Sequence, residues 1–153
     1  MLVTRTPLRI SFVGGGSDME SFYKHSLGSV ISCSINKYIY LSINKKFGGG
    51  IRVSYSKTEI KKNIDQIEHP IVKACLNKCK VKNSIEIASL ADVPSMGSGL
   101  GSSSAFTVGL LNGLYAYLGI RKNSKEIAEE ACEIEIKDCN EPIGKQDQYG
   151  TAI

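Results

Sequence analysis

The stretch at residues 94–105, with the sequence PSMGSGLGSSSA, combines three glycines with a run of serines and leads directly into an apolar segment. Glycine lacks a Cβ, so a ligand can approach its backbone closely, and it adopts the left-handed dihedrals of tight loops. A helix that begins here would present unpaired amide N–H groups and a partial positive charge, which bind phosphate. The stretch therefore predicts a phosphate-binding loop. A flexible Gly/Ser linker is the weaker interpretation, because such linkers do not usually run straight into a helix.

A second candidate lies on a predicted helix that begins at Ser124 and ends near Cys139. At about 100° per residue, Glu135 falls in the middle of the apolar side of this helix, between Ala128 and Ala131 in projection. A carboxylate in an apolar environment is costly unless a cation or a hydrogen-bond donor meets it. Two interpretations remain open at this point: a metal ion held beside a phosphate, or a salt bridge to a lysine or arginine at the edge of the core.

Three more charged residues lie beside glycine-rich turns or loops, namely Arg9, Asp18 and Asp147. Each has a simple structural explanation, since acids in such loops are often helix caps or turn formers. Together with Glu135, however, they would serve one reaction. Phosphoryl transfer needs a phosphate cradle, a carboxylate for magnesium, a carboxylate near the acceptor hydroxyl and a cation for developing charge.

Other nucleotide-binding and hydrolase motifs do not fit this sequence. The P-loop pattern G-x-x-x-x-G-K-[ST] is absent, and the dinucleotide pattern G-x-G-x-x-G fails because Ser102 stands three positions beyond Gly99. The only histidines are His25 and His69, and neither lies in a context that suggests a Ser/His/Asp hydrolase.

The composition indicates an ordinary soluble domain, with 153 residues, 42% hydrophobic and 22% charged. A net charge of +4 favours anionic ligands but does not demand nucleic acid. No apolar run is long enough to cross a membrane, and no secretory signal is recognisable at the start. Five cysteines without a sign of export fit reduced thiols. We therefore expect a cytoplasmic protein that binds neither membrane nor nucleic acid.

The elements that must position these residues alternate between strands and helices. Extended segments are predicted at 2–6, 8–13, 29–36, 38–44, 51–55 and 84–90, and the strands from 29 to 55 suggest an antiparallel meander. A capping box at residues 17–20 predicts a short helix, and further helices are predicted from 70, from 102 to 118 and from 124 to 139. This pattern predicts a two-layer α+β domain.

Three motifs together resemble the GHMP kinases, the family of galactokinase, homoserine kinase and mevalonate kinase. They are the glycine-serine loop at 94–105, the segment RTPLRISFVGGGSD at 5–18 and the segment GKQDQY at 144–149. Their order and spacing agree with the family over essentially the whole chain. The resemblance implies a domain related to the second domain of ribosomal protein S5. It also implies transfer of the γ-phosphoryl group of ATP, with Mg²⁺, to a sugar hydroxyl, and C1 of a heptose 7-phosphate is the expected acceptor.

The resemblance also implies roles for individual residues. Asp147 would accept or orient the proton of the acceptor hydroxyl, Arg9 would stabilise charge beside it, and Ser103 and Glu135 would bind magnesium. The ATP phosphates are assigned to Pro94, Gly97, Ser98, Gly99, Leu100, Gly101, Ser102, Ser103 and Ser104. Substrate binding is assigned to Arg5, Gly15, Gly16, Ser17, Asp18 and Tyr149.

Family members carry a second, C-terminal domain that completes the active-site cleft. We therefore expect residues 1–153 to be the N-terminal, ATP-binding domain of a longer enzyme, with little activity alone. The expected partners are ATP and a sugar phosphate, and a homodimer is one candidate assembly. The alternatives are a fucokinase-like or galactokinase-like sugar kinase, a non-catalytic nucleotide- or sugar-binding module, and an RNA-binding domain, which salt-sensitive RNA binding would reveal.

Overall fold

The computed structural model describes residues 1–81, 84–94 and 98–152. Most of these residues belong to strands and helices that alternate along the chain. The elements are β1 (Leu2–Val13), α1 (Glu20–Tyr23), β2 (Ile31–Lys45), β3 (Ile51–Ser54), β4 (Thr58–Lys61), a 3₁₀-helix (Ile64–Gln66), α2 (Pro70–Lys78), β5 (Ile85–Ala91), α3 (Ser102–Tyr117), α4 (Ser124–Cys132), a π-helical segment (Glu133–Asp138) and α5 (Gln146–Ala152).

The two long strands, β1 and β2, each join two segments that the sequence predicts separately. The breaks predicted at Pro7 and Lys37 lie opposite each other in the antiparallel pair, where the register passes from Pro7↔Tyr38 to Leu8↔Ile35. Two residues of β2 therefore oppose none of β1 at this point, which is a β-bulge. Such a bulge interrupts the ladder locally while the strand continues.

The strands form one mixed sheet in the order β1-β2-β5-β3-β4. The predicted meander is wrong here, because β5 lies between β2 and β3 and pairs with β3 in parallel. The antiparallel β2–β5 ladder contains seven paired positions, from Ile39↔Ala91 to Lys45↔Ile85, whereas β3 is only four residues long. The longer ladder, with Leu41, Ile43 and Ile87 fully buried, places β5 in the centre of the sheet.

Helix α3 is buried along nearly its whole length and packs on β1 and β2. Gly109 and Gly113 allow this close approach, since a Cβ on either would lie 2.5 Å from Thr6 Oγ1 or Ile43 Cδ1, respectively. Helices α2, α4 and α5 pack around α3 rather than forming a separate unit. The predicted two-layer α+β fold is confirmed, with the core between the sheet and α3.

Two helix boundaries differ from the sequence predictions. Helix α1 begins at Glu20 after an uncapped Met19, and the Ser17 hydroxyl donates to the Gly14 carbonyl instead of capping it. Asn123 caps α4, because its side chain accepts from the Glu126 amide and the Glu126 side chain accepts from the Asn123 amide. Helix α3 follows a left-handed Gly101 and has no side-chain cap.

Across the described residues, none of the helices combines the length and the apolar character that a membrane span requires.

Candidate functional site

Arg9 and Asp147, which are 138 residues apart in the sequence, form a charged pair in the structure. Arg9 Nε and Nη2 donate to Asp147 Oδ1 at 2.8 and 2.6 Å. The Arg9 side chain is 9% exposed and that of Asp147 is 22% exposed, so the acid retains a path to solvent or to a ligand. Strand β1 supplies the arginine and the first turn of α5 supplies the aspartate.

The same arginine holds the end of the predicted phosphate loop. Arg9 Nη1 donates to the Gly99 carbonyl at 2.7 Å, and the Arg9 amide donates to the Leu100 carbonyl at 3.0 Å. Gly101 has φ +73°, and a Cβ at this position would lie 3.2 Å from Arg9 Cγ. A glycine is therefore needed here both for the left-handed backbone and for the approach of the arginine.

The Ser98 and Ser102 hydroxyls lie 3.0 Å apart, across the loop that leads into α3. Ser98 Oγ also accepts from the Leu100 amide at 3.4 Å. Pro94 lies at the other end of the loop, and the predicted ligand Gly97 lies outside the described residues. Helix α3 is 16 residues long and has no acidic residue in its first turn. The first backbone amides of a helix have no partner within it, so those at the start of α3 can donate to an anion.

Glu135 lies beneath the first turns of α3 and is completely buried. Four neutral donors surround its carboxylate. Oε1 lies 2.8 Å from Ser103 Oγ and 3.0 Å from Thr107 Oγ1, and Oε2 accepts from Ser104 Oγ at 2.7 Å and from Gln148 Nε2. Within the described ranges, no lysine or arginine forms an ion pair with Glu135, so the salt-bridge interpretation finds no partner there.

The backbone around Glu135 is π-helical rather than α-helical. The Cys139 amide bonds to the Ile134 carbonyl at 2.8 Å, five residues earlier. This wider turn keeps Ile134 and Glu135 buried and leaves Asp138, which a straight α-helix would place on the apolar side, exposed. Single π-turns of this kind occur frequently at functional sites.

Ser103 and Glu135 supply some of the oxygen ligands that a magnesium ion needs. Ser103 is exposed and Glu135 lies directly behind it, so the two supply hard oxygen ligands without a resident counter-charge. Mg²⁺ in phosphoryl-transfer sites usually takes one or two such protein ligands and completes its shell with phosphate and water. The described residues hold no group of three His, Cys, Asp or Glu side chains that could bind a metal ion by themselves.

Asp18 connects the glycine-rich turn after β1 to the start of α5. Its Oδ1 accepts from the Gly16 amide at 2.9 Å, and its Oδ2 accepts from the Gln146 amide at 3.0 Å. The Ser11 hydroxyl donates to Gln146 Oε1 at 2.7 Å, which joins the same two elements. Four of the predicted substrate residues (Gly15, Gly16, Ser17 and Asp18) therefore lie within one hydrogen-bonded connection to the helix that carries Asp147.

We expect Gly144→Ala to destabilise the fold by about 1–3 kcal/mol, the cost of a lost hydrogen bond to a charged group. A Cβ on Gly144 would lie 1.9 Å from Asp18 Oδ2, so the carboxylate would have to leave the Gln146 amide. Urea unfolding measures the change. Gly15→Ala is the matched control, because its Cβ would meet nothing closer than 3.4 Å. Equal stabilities of the two variants would contradict the structural role of the Asp18 contact.

The other two predicted substrate residues, Arg5 and Tyr149, line other cavities, although Tyr149 lies on α5 two residues after Asp147. The Arg5 guanidinium lies 4.5 Å from the centroid of the Tyr38 ring and lines a cavity of about 210 Å³. Tyr149 lies in a cavity of about 490 Å³ that also contains Glu129 and Glu133. Burial raises the pKa of the Tyr149 hydroxyl, which stays protonated at neutral pH. No described contact connects either residue to Asp147.

Two residues of the carboxylate network were not predicted from the sequence. Thr107 follows Ser103 by four residues on α3, a spacing that places both hydroxyls on one helix face, so this signal was available. Gln148 is completely buried, and its Oε1 has no hydrogen-bond partner among the described residues. Its position next to Asp147 in the sequence gave no indication that its side chain reaches Glu135.

The fold agrees with the comparisons to known proteins. The model of the GHMP kinases N-terminal domain matches residues 37–153. The chain belongs to the GHMP kinase family.

Among individual proteins, the chain is 32% identical over 164 aligned residues to D-glycero-alpha-D-manno-heptose 7-phosphate kinase of Campylobacter jejuni, covering 98% of this chain and 48% of that protein. The crystal structure of a D-glycero-D-manno-heptose 1-phosphate kinase from Bacteroides thetaiotaomicron superposes with a TM-score of 0.88 at 30% identity, over 99% of this chain and 53% of the other. Galactokinase from Lactococcus lactis has the same fold, with a TM-score of 0.80 at 16% identity, over 98% of this chain and 42% of that one. The chain thus spans about half the length of these relatives.

Proposed function

We propose that this chain is the ATP-binding, N-terminal domain of an enzyme that transfers the γ-phosphoryl group of ATP to a sugar hydroxyl. The observation that carries the proposal is the single arginine that contacts both the predicted phosphate loop and the carboxylate of Asp147. This contact supports the proposal because it joins the predicted phosphate loop to the predicted proton acceptor, and phosphoryl transfer requires the two to lie together.

In this proposal, Asp147 accepts or orients the proton of the acceptor hydroxyl. Arg9 holds the carboxylate at Oδ1 through two of its N–H groups, which leaves Oδ2 for the substrate. The arginine also stabilises negative charge that develops nearby, as fixed cations do in low-dielectric sites. Positioning of this kind contributes more to phosphoryl transfer than covalent participation by the protein.

The backbone amides between Ser98 and Ser104, at the start of α3, would bind the ATP phosphates. Ser103 and Glu135 are the residues that would hold Mg²⁺, which neutralises charge on the β- and γ-phosphates when it is bound. Because Ser103 donates to Glu135 in the present arrangement, its oxygen lone pairs point away from the carboxylate. Ser104 and Gln148 hold the other oxygen of Glu135 from behind, which limits how far the carboxylate can rotate.

For the acceptor, we propose C1 of D-glycero-D-manno-heptose 7-phosphate. Support comes from the similarity at 30–32% identity to two heptose phosphate kinases, compared with 16% to galactokinase. Because the chain spans about half of each relative, we also propose that a second domain completes the cleft in the natural protein. Surface polysaccharide synthesis in the cytoplasm would be the consistent setting, and a homodimer is compatible with it.

The experiment that tests this proposal is a substrate panel with the intact natural protein. Heptose 7-phosphate, fucose, galactose and mevalonate are each incubated with ATP and Mg²⁺, and ADP release is followed. We expect the highest kcat/KM with heptose 7-phosphate, together with a requirement for Mg²⁺. ADP release with none of the four compounds would refute the kinase proposal, whereas release with fucose or galactose alone would refute only the choice of sugar.

A further inference from the structure

A cavity of about 550 Å³ opens beside the turn that carries Asp18. Its size lies within the range of about 300–1,000 Å³ that is usual for small-molecule sites. The lining residues that matter here are Ser17, Asp18, Tyr23, Lys24, His25 and Lys145. The proposed function accounts for the first two of these and for none of the cationic ones.

Consecutive residues of the chain link the lining of this cavity to the proposed reaction centre. Gln146 stands between Lys145 and Asp147, and its amide donates to Asp18 Oδ2 at 3.0 Å. The wall of the cavity and the proton acceptor are therefore held together by consecutive residues of one chain segment. The cavity is therefore lined by the two residues, Asp18 and Lys145, that lie nearest along these connections to the segment that carries Asp147.

The charges around the cavity favour an anion. Asp18 has both carboxylate oxygens engaged by amides, at 2.9 and 3.0 Å, whereas Lys24 has only an exposed ion pair with Glu20 at 3.1 Å. The Lys145 ammonium lies 4.1 Å from the centroid of the Tyr23 ring, and none of the described carboxylates forms an ion pair with it. The contact with the Tyr23 ring holds the Lys145 ammonium in position but does not neutralise its charge.

The neighbouring cavity of about 490 Å³ is less favourable for an anion than the cavity beside Asp18. Lys145 also lines that second space, but there it faces Glu20, Glu129 and Glu133. The second cavity also contains Lys137, so its three carboxylates outnumber its two lysines, whereas in the first cavity two lysines outnumber the single carboxylate of Asp18. Lys145 lines both cavities, and the balance of charge favours an anion in the first.

We propose that the cavity beside Asp18 binds the phosphate group that the sugar substrate already carries, and that Lys145 is its principal ligand. This inference rests on the proposed function, because it assumes a sugar whose acceptor hydroxyl lies at Asp147. Lys145 is then the residue that makes the enzyme prefer a phosphorylated sugar to the same sugar without phosphate. A charge-assisted contact of this kind accounts for a preference of about 10- to 100-fold.

The test uses the intact natural protein with Lys145→Met, Lys145→Arg and the control Lys125→Met, whose lysine is 77% exposed and far from the site in sequence. KM and kcat are measured with heptose 7-phosphate and with unphosphorylated heptose, and binding of both sugars is measured by calorimetry without ATP. We expect Lys145→Met to raise KM and Kd for the phosphorylated sugar by about 10- to 100-fold and to leave the values for the other sugar within about threefold. Lys145→Arg and Lys125→Met should keep the wild-type preference.

The calorimetric arm separates this inference from the proposed function. If the wild type transfers no phosphoryl group but binds the phosphorylated sugar through Lys145, the kinase proposal fails and the phosphate site stands. If Lys145→Met is folded, as judged by its thermal melting, and keeps the full preference for the phosphorylated sugar, the phosphate site is refuted. Equal binding of both sugars by the wild type refutes it as well. Lys145→Gln serves as a second variant should Lys145→Met not fold.

Discussion

Asp147→Asn should lower kcat by about 10²- to 10⁴-fold, the usual contribution of a positioned general base. The amide cannot take a proton from the acceptor hydroxyl, but its oxygen can still accept from Arg9 Nε and Nη2, which now hold Oδ1. The variant is therefore expected to fold and to bind ATP. Steady-state ADP release by the intact natural protein, with Mg²⁺ and the best sugar of the panel, measures the effect.

The control for this substitution is Asp138→Asn. Asp138 is exposed at the end of the π-helical segment, and no contact joins it to Arg9 or to the described part of the phosphate loop, so its loss should leave kcat within about twofold. An unchanged kcat in Asp147→Asn would show that the carboxylate is only the structural partner of Arg9. A large rise in KM for ATP with unchanged kcat would likewise contradict the role that we propose.

The second large effect is expected for Glu135→Gln. We predict that half-maximal activity will require about 10- to 100-fold more Mg²⁺, since a charged ligand contact of about 1.5–3 kcal/mol is replaced by a neutral one. The substitution also places an NH₂ group among four donors, from Ser103, Ser104, Thr107 and Gln148. The NH₂ group cannot accept, so the groups that now donate to that oxygen must reorient or lose their acceptor in a fully buried position, which should cost about 1–3 kcal/mol of folding free energy.

Two measurements check this prediction: Mg²⁺ titration of ADP release, and urea unfolding of the same samples. Glu133→Gln is the matched control, because this glutamate lies two residues earlier and forms only a surface ion pair with Lys78. Such pairs contribute about 0–1 kcal/mol. If the Mg²⁺ requirement of Glu135→Gln equals that of the wild type, the buried carboxylate has a purely structural role.

The features of the site that were predictable from the sequence are those with a local signal. The glycine-serine loop directly precedes an apolar segment, and its glycines indicate a backbone conformation that other residues rarely adopt. Glu135 was recognisable because a single carboxylate interrupts the apolar side of a helix, and burial in the structure agrees with that reasoning. The pairing of Arg9 with Asp147 was implied only by the resemblance to a family, since 138 residues separate them.

The features that escaped prediction depend on competition between distant segments. Whether β2 pairs with β3 or with β5 is decided by ladder length and by the crossover through α2, which no short window of sequence contains. The π-helical turn is similar, because its hydrogen bonds differ from those of an α-helix by one residue and its side-chain pattern scarcely changes. Gln148 was missed for a third reason: a polar residue on a seven-residue helix carries no periodic signal.

The distance along the chain between Arg9 and Asp147 also has a consequence for biogenesis. The ribosome adds the aspartate 138 positions after the arginine. Until then, the guanidinium has no carboxylate, and its remaining contact is the carbonyl of Gly99. Contacts of such long range form late because loop closure must be completed first. The proposed reaction centre would thus be assembled only after the sheet and helices that separate the two residues have formed. A partly folded chain would then contain the proposed phosphate loop without its proposed proton acceptor.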